Sequence, residues 1–342
     1  MPDRFESAYA YARVCGSLAR SYMGDRAESL AGSARVGEAW RAVFGESPPT
    51  LPENEMASEA ERALRGRPAE ALRRIAGALV KEQPFFAALA RKREFAYLKN
   101  LLSAAAADRS AADSPAPPAL EEPGLELGFD ASGFPDLDAM LRRTRYQWVI
   151  EAGLGDLPSV KNRLDRQYYS ELWEATGSVP RKLLGSLRDL IKVEAELQNL
   201  VWGLRLKRYY AMGASDIEGL LIALPGVEAA RPALEAVARR AESRSDWTGW
   251  KWERLVPDAR SEEGGDWYFD LRGFESAAHR YLCRLLFRRL HLEFETYVPL
   301  YAYFRLKEFE TTAVHGVIEG IKLEAPAAEI ASFAVETTGG AA

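Results

Sequence analysis

The chain has 342 residues, of which 47% are hydrophobic and 28% charged, with a formal net charge of −5. That is enough apolar material for a large core, and length alone suggests roughly two domains at about 100–200 residues each. Basic and acidic residues are mixed along the chain with neither half markedly basic, which argues against nucleic acid or an anionic membrane surface as the main partner.

The charged opening Met1-Pro2-Asp3-Arg4-Phe5-Glu6 runs straight into a helical pattern, with no secretory signal. Apolar residues then recur at steps of three and four, and period-two runs of β-branched residues are almost absent. The pattern predicts an all-α protein of roughly fifteen or more helices. A loop is expected over Glu46 to Glu55, which carries Pro48, Pro49 and Pro52. Ser58 with Glu61 has capping-box spacing, and Pro68 suits a first helical turn. Asp108 to Pro135, with Pro115, Pro117, Pro118 and Pro123, reads as a linker or a surface loop and is the best candidate domain boundary. Gly153-Leu154-Gly155-Asp156-Leu157-Pro158 begins like a dinucleotide-binding turn. It has proline in place of the third glycine and follows a helical pattern, so it reads as a helix–helix turn. Ser215 with Glu218 again has capping-box spacing, and Pro326 again suits a first turn. Ser243 to Gly273 is a long stretch rich in Gly, Asp and Ser, in which Trp247, Trp250, Trp252, Trp267, Tyr268 and Phe269 are expected to pin the loop to the body. The other reading of these rings is a partner-anchoring patch. The longest uncharged stretches, such as Gly219 to Val227 and Thr296 to Phe304, fall well short of the ~18–20 residues of a membrane span.

Catalytic signatures are missing from the sequence. It has no phosphate-cradling P-loop, and His279, His291 and His315 fit no metal spacing. His315 and Glu319 read as an ordinary helical pair. Cys15 and Cys283, far apart and without a nearby His or a C-x-x-C partner, suit a reducing compartment rather than a disulfide framework or a catalytic thiolate. No catalytic residue, cofactor or metal is expected.

One internal similarity stands out. Lys92 to Leu102, Glu194 to Trp202 and Glu308 to Val314 each place a Glu four residues before an aliphatic: Glu94 with Leu98, Glu196 with Leu200, Glu310 with Val314. The copies lie about a third of the chain apart, each on a helix with an apolar face such as Leu306, Phe309, Ala313, Val317 and Ile321. A genuine repeat implies three helical modules packed about an approximate threefold axis, with a central concavity. The three acids then either pair within their modules or line the opening and meet a partner.

Several segments together resemble the C-type subunits of V-type and A-type ATPases, the family known as the d-type subunits in eukaryotic enzymes. Tyr9-Ala10-Tyr11-Ala12-Arg13-Val14 is similar to the family's Y-x-x-A-R-V opening, and Leu141 to Tyr146 to its L-x-x-T-x-Y segment. Leu164-Asp165-Arg166-Gln167-Tyr168-Tyr169-Ser170-Glu171-Leu172 resembles its L-D-x-x-Y-Y-x-x-L helix, and Glu196 to Leu200 its E-x-x-N-L helix. Glu308 to Glu310, Gly320-Ile321-Lys322 and Pro326 to Ile330 are similar to its closing segments. The chain departs from the pattern at Ala313 and Tyr97, where the family has Asn, and at His315, where a basic residue is common.

The resemblance implies an all-α funnel of three related modules, here drawn as 1–107, 108–215 (opening with the Pro/Ala/Ser-rich linker) and 216–342. It implies a non-catalytic rotor subunit of the central stalk, one copy per complex, seated between the D- and F-type shaft subunits and the membrane proteolipid ring, peripheral on the cytoplasmic face. Torque passes through such a socket, so that ATP hydrolysis or synthesis is linked to ion transport. Glu94, Glu196 and Glu310 are the candidate shaft-interface residues. The alternative is a helical-repeat scaffold for another soluble protein.

Overall fold

The computed structural model describes residues 4–76, 84–108, 127–261 and 265–339. Among them are sixteen α-helices, and β structure is limited to two isolated bridges. The first third holds α1 (Arg4–Leu18), α2 (Asp25–Ala31), α3 (Val36–Phe44), α4 (Glu53–Arg65), α5 (Arg67–Ala76), α6 (Pro84–Ala90) and α7 (Lys92–Asp108). The middle third holds α8 (Leu137–Leu141), α9 (Trp148–Ala152), α10 (Leu157–Ala175) and the 30-residue α11 (Arg181–Tyr210). The middle third closes with α12 (Ala214–Glu218), and the last third holds α13 (Arg231–Ala238), α14 (Leu271–Leu292), α15 (Val298–Lys322) and α16 (Ala327–Thr338).

The all-α expectation holds, but helix starts differ in places. Neither capping-box spacing starts a helix. Pro52 caps α4 six residues earlier, so Ser58 lies mid-helix and its hydroxyl turns back to the Asn54 carbonyl at 3.1 Å. Gly213 caps α12, leaving Ser215 inside it. The capping box that does form, Ser243 with Asp246, opens a 3₁₀ turn and uses Asp rather than the longer acid. Pro68 does sit in the first turn of α5, and Pro326 immediately precedes α16. Gly153 ends α9 at φ +65°, and Asp156 caps α10 by accepting the Ser159 N–H at 3.2 Å, so this stretch is the expected turn. Of the expected linker, residues 109–126 lie outside the described residues. The boundary drawn at 215/216 falls within α12.

Two apolar clusters organise the molecule. The larger runs from Ala10 and Val14 through α7, α10 and α11 to α14 and the first half of α15. The smaller joins α2, α3 and α4 to the second half of α15 and to α16. α15 is therefore shared: Leu306 belongs to one cluster and Val314, Val317 and Ile321 to the other. Its contact with α16 is close because Gly316 and Gly320 carry no side chain. A Cβ on Gly320 would stand 2.8 Å from Ile330. Trp247, Trp250 and Trp252 are buried, with Trp247 stacked on Phe269 at 4.7 Å, so the rings do pin the long stretch before α14. Among the described residues no helix is long and apolar enough to cross a membrane.

Candidate functional site

The three repeated glutamates lie on α7, α11 and α15, and all are buried, as are their aliphatic companions Leu98, Leu200 and Val314. A buried carboxylate requires donors, and each finds them in another third of the chain. Glu94 accepts the backbone N–H of Gly128 at 2.9 Å. The approach needs a glycine, since a Cβ on Gly128 would sit 2.7 Å from the Glu94 oxygen. Glu196 accepts from the Lys251 ammonium, whose side chain stays half exposed. Glu310 accepts the backbone N–H of Tyr22 at 2.8 Å and also the Lys307 ammonium, which reaches Ser21 at 3.1 Å as well. The first third thus reaches the second, the second the third, and the third returns to the first.

Asn199, one turn beyond Glu196, adds a clamp. Its amide donates to the carbonyls of Ile222 at 2.9 Å and Ala229 at 3.1 Å and accepts the Ile222 N–H at 2.7 Å. Tyr97 and Ala313 stand three residues after the other two glutamates, and neither carries a side-chain amide. At those two positions the glutamate itself takes a backbone N–H.

Between these helices lies a buried ionic network that periodicity did not reveal. Glu194 receives the Tyr169 hydroxyl at 2.6 Å, the Tyr301 hydroxyl at 2.5 Å and the Arg305 guanidinium on both oxygens, including Nε at 2.9 Å. Arg305 also holds Glu308, which Lys92 approaches at 3.3 Å. Two acids and two cations from all three thirds therefore balance. Burial pushes the Glu194 carboxyl up to about 7, against the two tyrosine hydroxyls that hold it down. It raises Glu308 and lowers Arg305 in the same way. A signal was present in the sequence: Arg305 ends the uncharged stretch Thr296 to Phe304, and an arginine embedded in apolar surroundings requires an acid.

A concavity of about 740 Å³ opens beside this network. Lys92 and Lys99 come from α7, Lys161 and Tyr168 from α10, Trp202 from α11, and Ile222 from the Asn199-clamped loop, so three separate segments contribute to its wall. Lys99 is paired with Asp165 at 2.7 Å. The Tyr168 hydroxyl and the Trp202 Nε1 are buried without a hydrogen-bond partner, leaving the cavity rich in donors. None of the repeated glutamates lines it. His315 lies 3.5 Å from Glu61, and burial pushes the Cys283 thiol up to about 12, so that it stays protonated.

Among its described residues the chain is thus helical, with a concavity walled by three segments and buried polar contacts that tie its parts together. The chain belongs to the ATP synthase (C/AC39) subunit family, whose pattern it matches over residues 48–333. It is thereby a subunit of the V/A-type ATPase class. The match includes all three repeated glutamates, the Tyr168-Tyr169 helix and the buried network, and leaves the Tyr9 to Val14 segment outside. The chain is also similar to a protein of Treponema pallidum (strain Nichols) described as "Uncharacterized protein", with 25% identity over an alignment of 325 residues that covers 92% of each chain.

Proposed function

We propose that this chain is the central-stalk socket of a V/A-type ATPase, coupling the rotating shaft to the membrane proteolipid ring so that ATP turnover and ion transport are linked. It acts as one copy per complex, on the cytoplasmic face, and contributes no catalytic group. The observation that carries the reading is the donor-rich concavity walled by three segments of a chain in the C/AC39 family. Torque transmission needs a stiff body, and close-packed helices pinned by a buried ionic network supply stiffness. Three modules about a threefold axis accord with the cyclic order in which Glu94, Glu196 and Glu310 reach into the next third. Their carboxylates are occupied by this chain's own donors, so they act at the shaft interface through what they hold: the Gly128 backbone, the half-exposed Lys251 and the Tyr22 backbone.

The test is site-specific crosslinking. Lys161→Cys, carrying a short photoactivatable linker, is assembled into native membranes and illuminated. Crosslinks to the shaft subunits support the socket. Clean crosslinking to a soluble protein outside the ATPase would overturn it in favour of a scaffold.

A further inference from the structure

A second concavity of about 390 Å³ lies where the end of α11 meets the tryptophan-rich stretch, and it shares no wall residue with the first. Lys207, Arg208 and Arg240 converge on it, over a floor that includes Trp247 and Phe269, with Tyr268 half exposed beside them. Among the described residues no acid lines it, although the chain as a whole is net negative. Three like charges around one apolar pocket repel each other, and burial already lowers the Lys207 ammonium. An incoming anion relieves both penalties. The Trp247 Nε1 is also buried without a hydrogen-bond partner. Past Arg208 the helix ends in Tyr209 and Tyr210, 71% and 67% exposed, before Ala211 turns left-handed at φ +53°. Tyr, Trp and Arg together are the residues enriched in protein interfaces.

We propose that this pocket docks an acidic polypeptide segment of a protein partner, one that presents an aromatic side chain flanked by Asp or Glu. The ring enters against Phe269 and Tyr268, and the carboxylates meet Lys207, Arg208 and Arg240. At about 390 Å³ the cavity lies near the small end of ligand sites, ~300–1,000 Å³, and suits one large side chain. The aromatic pair beyond Arg208 extends the surface past what a small anion covers, which favours a peptide. The proposal does not rest on the coupling function.

The full chain is titrated calorimetrically with the blocked peptide Asp-Glu-Asp-Trp-Glu-Asp. The same peptide with Ala for Trp, and N-acetyltryptophan, serve as comparisons. Binding is expected to weaken at least tenfold on Arg208→Glu with Arg240→Glu, and at least tenfold for the alanine peptide. Both arginines are exposed, and an unchanged melting temperature shows that the variant is folded. If the reversal unfolds the chain, Arg208→Gln with Arg240→Gln replaces it and is expected to weaken binding several-fold. Equal binding of the two peptides, indifference to the charge changes, or no binding below millimolar concentration overturns the proposal. So does displacement of the peptide by N-acetyltryptophan at equal concentration, which would assign the site to a small anion.

Discussion

At the scale of single residues, the informative contacts are those in which a buried charge is answered from another part of the chain. Arg305 and Glu194 are both nearly inaccessible, and each would be costly alone. Arg305→Leu leaves the Glu194 carboxylate with only two tyrosine hydroxyls, and is expected to cost about 3–5 kcal/mol in urea unfolding. Adding Glu194→Leu removes the stranded charge and should recover part of that loss. Recovery is incomplete because the Tyr169 and Tyr301 hydroxyls then lack an acceptor. If the double variant is as unstable as the sum of the two single ones, the pair is not coupled in the way its geometry implies.

At the scale of elements, two helix contacts make separate tests. α15 and α16 approach across Gly320, where Ile330 occupies the space a side chain would need. Gly320→Val should force α16 away and destabilise the fold by about 1–3 kcal/mol, the usual cost of overpacking. An unchanged melting temperature would show that α16 rides loosely on its neighbour. On α14, His279 bonds the Thr337 carbonyl of α16, packs on Phe309 and faces Cys283 and the neighbouring Arg280. Burial holds its imidazole below its usual pKa, so the unfolded chain takes up a proton near pH 6.5 that the folded chain refuses. That contribution to stability is fully present above pH 6.5 and is lost as pH falls below it. His279→Gln should therefore flatten the fall in melting temperature between pH 7 and pH 5.5, and an identical slope in the variant would refute the assignment. The sequence carried part of this layout and not the rest. Helix content, the turn at Gly153 and the pinning role of the tryptophans were legible, because each follows from local spacing or from ring size. The capping boxes misled because Pro52 and Gly213 set the helix starts earlier. The Arg305–Glu194 pair is 111 positions apart in sequence and has no periodic signature. The spacing singled out three glutamates that are all buried, but spacing along a helix cannot say which of its faces is covered by a distant loop.

For the molecule as a whole, the decisive feature is that the two ends of the chain share a core. α2, α3 and α4 pack with α16 and the second half of α15, while the first half of α15 is embedded in the larger cluster with α7, α10 and α11. A repeat of three modules suggests three units able to melt separately, each bounded by a linker. The packing argues otherwise, because α15 cannot leave one cluster without exposing the other, and Glu310 and Tyr22 close the circuit between the last third and the first. The chain should therefore unfold in one thermal transition. Leu64→Ala in the smaller cluster and Leu197→Ala in the larger should each cost about 2–5 kcal/mol and shift that same transition. Scanning calorimetry of the two variants decides the matter. If Leu64→Ala splits off a separate low-temperature peak while the main peak stays in place, the first third is an autonomous domain that merely leans on α15. If both substitutions move a single peak, stiffness is a property of the closed chain, and a load applied at any of the three segments around the large concavity is borne by all of them.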